Sequence, residues 1–461
     1  MYVIDSKSKI PLYIQLYNEL KNDILLNYKA DDKLPSIRKI AATYSLSKNT
    51  VQNAFSQLYA EGYINSYAKS GYFVSDMIYE DFKINKSLTK NKEEKVIYKY
   101  DFVPVRLSKD SFPLKLFKRL TTKALTDSLD FGKYLDGQGE LSFRIELAKY
   151  LQSSRALKCE ASNIVVCNGF PEAMGLVAKI LKYKYKSLAI EKPGYYITKK
   201  VFEDYGYSID KIDIDNNGLK IQDLEKANSK LVYITPSHQY PKAVTMPIPN
   251  RLKLLKWANK NDGLIIEDDY DSELSYVNRP IPSLQGLDNN NKVIYFGTFS
   301  KSLSPALRVC YMVLPDFMID IYKNSFDSHF PKVSLIVQKT MELFLKEGHY
   351  DKHLRKIRTL NRKKHNLMKK YLEIYLKDSF IIETQGAGLS ININPNTPFD
   401  INKLKQLAIK NKIKLHFTND ITNNEWQAIR MGFGGFDEDN IEEAIKEFSK
   451  IWHESIINCT H

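Results

Sequence analysis

The sequence predicts a multidomain chain: a small N-terminal α+β unit, a tether, and a large α/β domain ending in a smaller α+β subdomain. Three observations carry this. Residues 1–75 hold helix-period stripes of apolar side chains followed by two short strand-like runs around a turn. Residues 76–100 have few apolar side chains, mixed charge and no period, as a flexible tether does. From Asn163 onward, short apolar runs alternate with helical patterns, the signature of a mostly parallel sheet covered on both faces.

The first helix begins at Pro11 and places Tyr13, Leu16, Tyr17, Leu20 and Ile24 on one face. Leu34-Pro35-Ser36 stops and restarts the chain, and Ser36 is a good N-cap for a short helix with Ile37, Ile40, Ala41 and Tyr44 inward. After a turn at Ser45-Leu46, Ser47 caps the next helix, which runs from Lys48 to Glu61 and buries Val51, Ala54, Phe55 and Leu58. Lys48, Asn49, Gln52 and Asn53 crowd its opposite face near the start. Two short helices around a tight turn, the second polar at its N-terminal end, are the layout of a helix-turn-helix. Asn and Gln can pair two-pronged with adenine, and Lys48 can take guanine or phosphate. Gly62 ends the helix; Tyr63-Ile-Asn and Gly71-Tyr-Phe-Val then read as a two-stranded wing with Lys69 at its tip.

In the large domain the expected strands are Ile164–Cys167, Leu188–Ile190, Leu231–Ile234, Leu264–Ile266, Val293–Phe296 and Val309–Val313. Helical patterns at 171–182 and 250–260 lie between some of them. From about Phe330 the pattern becomes a long helix and then the smaller subdomain.

Lys301 emerges between two of these buried strands, in Thr298-Phe-Ser-Lys-Ser. Such a lysine sits partly dry, which lowers its pKa and makes it a usable amine for a Schiff base with a carbonyl cofactor. Ser300 and Arg308 offer a hydroxyl and a guanidinium that suit a phosphate. The strand from Leu264 ends in Glu267-Asp-Asp-Tyr-Asp-Ser-Glu273, and Asp268 precedes Lys301 by 33 residues. Carboxylates at the C-terminal end of a parallel strand point into the ligand crevice of an open α/β sheet. Pyridoxal phosphate requires a carboxylate at its ring nitrogen and a donor at its phenolic oxygen. Asp268 and Tyr270, two apart on one strand, are expected to project to the same side.

Strand-EDDYDSE followed by GTFSKxLxPxLR resembles the fold-type I aminotransferase family. With LPSIRKIAATYSLSKNTVQNAFSQLYAEGYI…GYFVSD ahead of it, the chain more narrowly resembles the MocR-type subfamily of GntR transcription regulators. Those are a winged helix-turn-helix fused to an α/β fold-type I, PLP-dependent aminotransferase-like domain. The resemblance implies domains at 1–75 (DNA-binding), 76–100 (linker) and 101–461 (pyridoxal 5'-phosphate and effector). It implies DNA contacts from Arg38, Lys48 and Gln52, with Ser70-Gly71 in the wing, and brings in Ser36, Asn49, Thr50 and Lys69 around them. In the large domain it makes Lys301 the cofactor lysine, stacks Tyr195 on the ring, and turns Gly169 and Phe170 at a helix N-terminus toward the phosphate. Thr235-Pro-Ser-His-Gln-Tyr-Pro241 resembles the loop on the ring's oxygen side, with His238 and Gln239 as alternatives. Arg430 is expected to grip an effector carboxylate.

Departures from the family pattern are also visible. Pro171 removes one backbone donor at the phosphate helix, and Ala306 and Cys310 stand where the family has glycines. Ile197 occupies the place where relatives that sense γ-aminobutyrate carry a second arginine, so that effector is not supported. Tyr134-Leu-Asp-Gly-Gln-Gly-Glu-Leu-Ser-Phe-Arg144 is similar to the family's element at the subunit interface, which implies a homodimer.

Composition sets wide bounds. A hydrophobic fraction of 43% in 461 residues supports sizeable cores. No stretch reaches the length of a membrane span and Met1–Lys7 is not an apolar signal region, so a cytoplasmic protein is expected. Cys159, Cys167, Cys310 and Cys459 are too scattered for a metal site of the CxxC type, and no metal is expected. The net charge of +14 invites a nucleic-acid reading, yet residues 1–75 hold only nine Lys/Arg against six Asp/Glu. Much basic charge lies in 353–370, read as an exposed amphipathic helix along Leu354, Ile357, Leu360 and Leu367. DNA binding therefore rests on the motif. The function expected is transcription regulation through a sensor of pyridoxal phosphate, an amino acid or an amine. The alternative is a working aminotransferase with an accessory DNA-binding domain; the winged helix favours the first.

Overall fold

A computed structural model describes residues 2–6, 8, 10–68, 70–76, 97–126, 129–276, 281–326, 333–384, 386–418, 420 and 426–457. Lys69, most of the expected linker, the boundary at Phe330 and Cys459 lie outside the described residues. The chain divides into two compact units, Met1–Lys95 and Val96–His461.

The first unit packs helices Leu12–Asn27, Ile37–Thr43 and Lys48–Ala60 around Leu16, Leu20, Ile40, Val51, Phe55 and Leu58. Both serine caps form: Ser36 Oγ accepts from the Lys39 N–H and Ser47 Oγ from the Thr50 N–H, at 3.2 and 3.0 Å. Gly62, at φ +77°, takes the left-handed turn that releases the chain into the wing. There β1 (Ile64–Tyr67) pairs antiparallel with β2 (Gly71–Val74), Ile64 opposite Val74.

The second unit begins with β3 (Tyr100–Asp101). Its main sheet uses β4 (Ile164–Asn168), β5 (Ser187–Lys192), β6 (Ser208–Asp215), β7 (Gly218–Leu219), β8 (Leu231–Ile234), β9 (Leu264–Asp269), β10 (Val293–Thr298) and β11 (Val309–Val313). Their order is β4-β11-β10-β9-β8-β5-β6-β7. The five strands β10, β9, β8, β5 and β6 run parallel, while β11 is antiparallel to both neighbours and β7 to β6. The central strands are buried on both faces, which is why they read as continuous apolar runs. Helices Phe170–Leu181 and Ile248–Lys260 match the expected helical patterns to within two residues at each end.

The C-terminal subdomain packs β12 (Phe380–Glu383), β13 (Ser390–Pro395) and β15 (Ile429–Gly432) against helices Ile401–Lys410 and Ile441–Ser455. It also recruits the start of the unit, because β3 pairs in parallel with β14 (Ile413–Lys414) and Phe102 is buried in the same core. The basic stretch 353–370 lies on helix His349–Leu376. The amphipathic pattern forms, with Leu354 and Ile357 buried and Arg355, Lys356, Arg362 and Lys363 exposed; the departures from a solvated charged face are His353 and Lys364, which are buried.

Candidate functional site

The C-terminal ends of β9 and β10 open onto a cavity of about 400 Å³ lined by Asp268, Tyr270, Lys301, Arg308, Tyr195 and Arg430, among others. That volume falls in the roughly 300–1,000 Å³ range of small-molecule sites, and the position is where open α/β sheets bind ligands.

Lys301 follows β10 by three residues and is half-buried. Removal from water lowers its amine to about 8; Asp271 and Asp268 oppose that shift and Arg430 adds to it. Asp268 is buried at the end of β9, and the Tyr233 hydroxyl donates to its Oδ2 at 2.6 Å. Burial raises the Asp268 carboxyl to about 7, against the pull of the Tyr233 bond. Tyr270 lies one residue past the strand, not on it, because β9 ends at Asp269. Both side chains nonetheless line the cavity, and the Tyr270 hydroxyl donates to the His238 carbonyl at 3.0 Å.

Of the two alternatives in the 235–241 loop, His238 lines the cavity and its Nδ1 lies 2.7 Å from Asp271 Oδ2. The Gln239 amide is taken up by backbone, donating to the carbonyls of Pro193, in the segment before Tyr195, and of Tyr240, in its own loop, at 2.9 and 2.7 Å. Tyr195 precedes helix Tyr196–Asp204, with its ring centre 5.5 Å from Phe170 and 5.1 Å from Tyr240.

On the other side, Ser300 Oγ accepts from Thr298 Oγ1 at 2.9 Å, and Ser300 and Arg308 both line the cavity. Gly169 caps helix Phe170–Leu181 at φ +82°, and a Cβ there would come within 2.0 Å of Arg308 Nη2. A glycine is thus required for the guanidinium to lie over the helix N-terminus. Ala306 is exposed, whereas Cys310 is buried and lines the cavity.

Arg430, on β15, donates from Nη2 to Ser390 Oγ at 3.0 Å, and its guanidinium carbon stands 4.7 Å from the centre of the Tyr240 ring. Its Nε is buried without a hydrogen-bond partner. His416 shares this part of the cavity; burial first, then Arg430, holds its imidazole down at about 4.

Tyr233, Asp271, Tyr240, Ser390 and His416 escaped the sequence reading of the site. Asp271 and Tyr240 sit inside motifs that drew notice for other residues. Tyr233 is a hydroxyl inside an otherwise apolar strand, a signal that was available. Ser390 and His416 have no local signature.

In the first unit, Ser36, Arg38, Lys48, Asn49, Gln52 and Ser70 are exposed on or beside the second and third helices and the wing. Gly71 is half-buried at φ +110°. Thr50 is half-buried, its hydroxyl 2.8 Å from Ser47 Oγ.

Comparison with known proteins agrees with both units. Aminotransferase class I and II matches residues 105–447, and the bacterial regulatory proteins of the gntR family match residues 12–74. The crystal structure of an archaeal alanine:glyoxylate aminotransferase superposes with a TM-score of 0.70 at 25% identity, covering 77% of this chain and 91% of that one. The large unit therefore has the fold-type I aminotransferase fold. Over the whole chain, "Uncharacterized HTH-type transcriptional regulator YdeL" of Bacillus subtilis (strain 168) is 34% identical, covering 96% of this chain and 97% of its own length. "Probable rhizopine catabolism regulatory protein MocR" of Rhizobium meliloti is 29% identical across 85% of this chain and 83% of its own. The chain belongs to the MocR-type subfamily of GntR regulators: DNA-binding transcription regulators with an aminotransferase-like domain.

Asp268 gives the site a measurable pH dependence. Its folded pKa is raised to about 7, so the neutral form is favoured in the fold. That contribution to stability is complete below the ordinary carboxylate range and is lost as pH rises through 7. In protein freed of small molecules, Asp268→Asn should therefore lose less thermal stability than wild type between about pH 5 and 8. Parallel melting-temperature profiles for the two proteins would contradict this.

Proposed function

We propose that the large unit binds pyridoxal 5'-phosphate at Lys301 and senses either the cofactor itself or an amino acid or amine that joins it, while residues 1–75 read an operator. The observation that carries the reading is one cavity holding a half-dry lysine, a buried carboxylate and an exposed arginine over a helix N-terminus. These residues fit the cofactor. The Lys301 amine would hold it, and the free oxygen of Asp268 would accept from the protonated ring nitrogen. Tyr195 would cover the ring, and Tyr270 with His238 would serve the phenolic oxygen. Ser300, Arg308 and the amides of Gly169 and Phe170 would take the phosphate, since Pro171 offers no N–H. When bound, the cofactor supplies an aldehyde that takes amines reversibly and a ring that withdraws electrons. The buried, unpartnered Nε of Arg430 supports a carboxylate on the effector.

The same reading assigns residues 76–100 as a tether and 101–461 as the effector domain. A DNA-reading role places the protein in the cytoplasm. A homodimer is supported by the exposed side chains of Phe131, Tyr134 and Leu141, which lie along the element expected to cross between subunits.

Purified protein should be yellow, or turn yellow with added cofactor, and Lys301→Ala should abolish the visible band. A colourless protein that gains no band would sink this reading. Gln52→Ala should relax base preference at a cost of about 1–3 kcal/mol, whereas Lys48→Ala, if it meets phosphate, should weaken binding evenly and reduce the salt slope by about 1. Equal operator binding by a chain lacking residues 1–75 would refute the DNA assignment. Light scattering should give the mass of two chains at micromolar concentration, with a two-part operator to match; a monomer would contradict the dimer.

A further inference from the structure

We propose that the effector is a monocarboxylic α-amino acid with an uncharged, apolar side chain. Its carboxylate would sit on Arg430 with the His416 imidazole beside it, and its side chain against Val105, Ile197 and Leu389. The proposal rests on the reading that Lys301 holds pyridoxal phosphate.

The anion end is built from neighbouring segments of the C-terminal subdomain. Arg430 is 7% exposed, its Nη2 is committed to Ser390, and its Nε has no acceptor. A buried guanidinium edge without an acceptor is a strong donor waiting for a carboxylate. His416 precedes it in the fold: the Arg430 N–H donates to the His416 carbonyl at 2.9 Å, and the imidazole lines the same cavity. The charged groups around that ring are Arg430, Lys414 and Lys301, opposed by Asp420. Burial first, then these cations, favour the neutral ring, which offers one N–H rather than a second positive charge.

Apolar side chains also line the cavity. Leu389 adjoins the serine that takes Arg430 Nη2. The backbone of 103–106 lies against β15 and its continuation, since a Cβ on Gly432 would meet the Val103 carbonyl oxygen, and one on Gly434 the Arg106 carbonyl oxygen, each at 2.5 Å. Ile197 follows by two residues the tyrosine that reaches Arg430 through Tyr240. Val105, Ile197 and Leu389 all line the cavity.

Every charged group among the described lining residues already has a task. The lining acids are Asp268 and Asp271, bonded to Tyr233 and His238. The lining cations are Lys301, Arg308 and Arg430. Among the described residues of this chain, a second carboxylate on the effector meets no uncommitted cation, and an amine at the end of its side chain meets no uncommitted acid. Either would face Val105, Ile197 and Leu389 without a charged partner among those residues, which weakens its binding relative to an apolar side chain.

The test uses full-length protein loaded with pyridoxal phosphate, its visible band establishing the cofactor reading first. Leucine, phenylalanine, glutamate, lysine and γ-aminobutyrate are then titrated while the band is followed. Leucine or phenylalanine should half-saturate the spectral change at concentrations at least about tenfold below the other three. Ile197→Arg should keep the cofactor band and shift preference from leucine toward glutamate. His416→Ala should raise the half-saturating concentration of leucine while leaving the band intact. Glutamate, lysine or γ-aminobutyrate acting at or below the leucine concentration would overturn the proposal, as would no spectral response to any of the five while the band is present. A protein with no band overturns the cofactor reading, and this proposal falls with it.

Discussion

Three consecutive carboxylates, Glu267, Asp268 and Asp269, are buried at the end of one central strand. Burying a carboxylate without a partner costs several kcal/mol, so each demands a compensation that shapes its surroundings. Successive side chains on a strand alternate faces. On one face, Glu267 accepts from the Leu284 and Gln285 N–H groups at 2.8 and 2.9 Å, with Arg251 3.8 Å away. On the same face, Asp269 accepts from Arg155 Nε and the Tyr295 hydroxyl, both at 2.7 Å; burial pushes its carboxyl up, but Arg155 and the hydrogen bonds from Tyr295, Ser272 and Ser237 together hold it below the usual carboxylate range. Arg155 further ties Ser237 and the Ile281 carbonyl to this point, at 2.8 Å each. Asp268, between them and on the opposite face, receives only Tyr233 and no cation of its own. The fold thus neutralises two of the three acids internally and leaves the third facing the cavity.

That asymmetry explains why the site was largely legible and its environment was not. Lys301, Asp268 and Tyr270 declare themselves because polar residues at the ends of apolar strands have few other uses. Capping serines at 36 and 47 are equally local, since their acceptors lie three residues away. Compensation is non-local: Tyr233 serves Asp268 across 35 residues, and Arg155 serves Asp269 across 114. Nothing in the spacing of one residue announces the other. The same holds for β3, which pairs with β14 far along the chain and so brings Tyr100 into the C-terminal core. Strand β6 was missed for a different reason. Ser208-Ile-Asp-Lys-Ile-Asp-Ile-Asp is half-exposed, and its acids interrupt the apolar run that marks its buried neighbours.

The charges facing the cavity also constrain what binding can do. Lys301, Arg308 and Arg430 line one space against Asp268 and Asp271, so an anionic ligand would offset the repulsion among the three cations. Burial is the main cause of the lowered Lys301 amine, about 8, and of the lowered His416 ring, about 4, and Arg430 adds to both. A phosphate near Arg308 and a carboxylate on Arg430 would each remove positive potential from its own end. Binding that meets these groups only in the folded state stabilises it in proportion to RT ln(1 + [L]/Kd).

Stabilising one unit does not by itself change what the other does to DNA. A ligand shifts an equilibrium only by the difference in its affinity for the two states, and equal affinity shifts nothing however tight the binding. The groups able to supply such a difference are those drawn from separate parts of the large unit into one cavity. Arg430 and His416 belong to the C-terminal subdomain, Val105 to the segment after β3, and Asp268 and Lys301 to the main sheet. A carboxylate on Arg430 joined through its amine to the Lys301 end of the cavity would bind both parts at once. An amino acid that met both parts would favour an arrangement in which subdomain and sheet lie close together. The cofactor alone, touching mainly the sheet side, would favour it less.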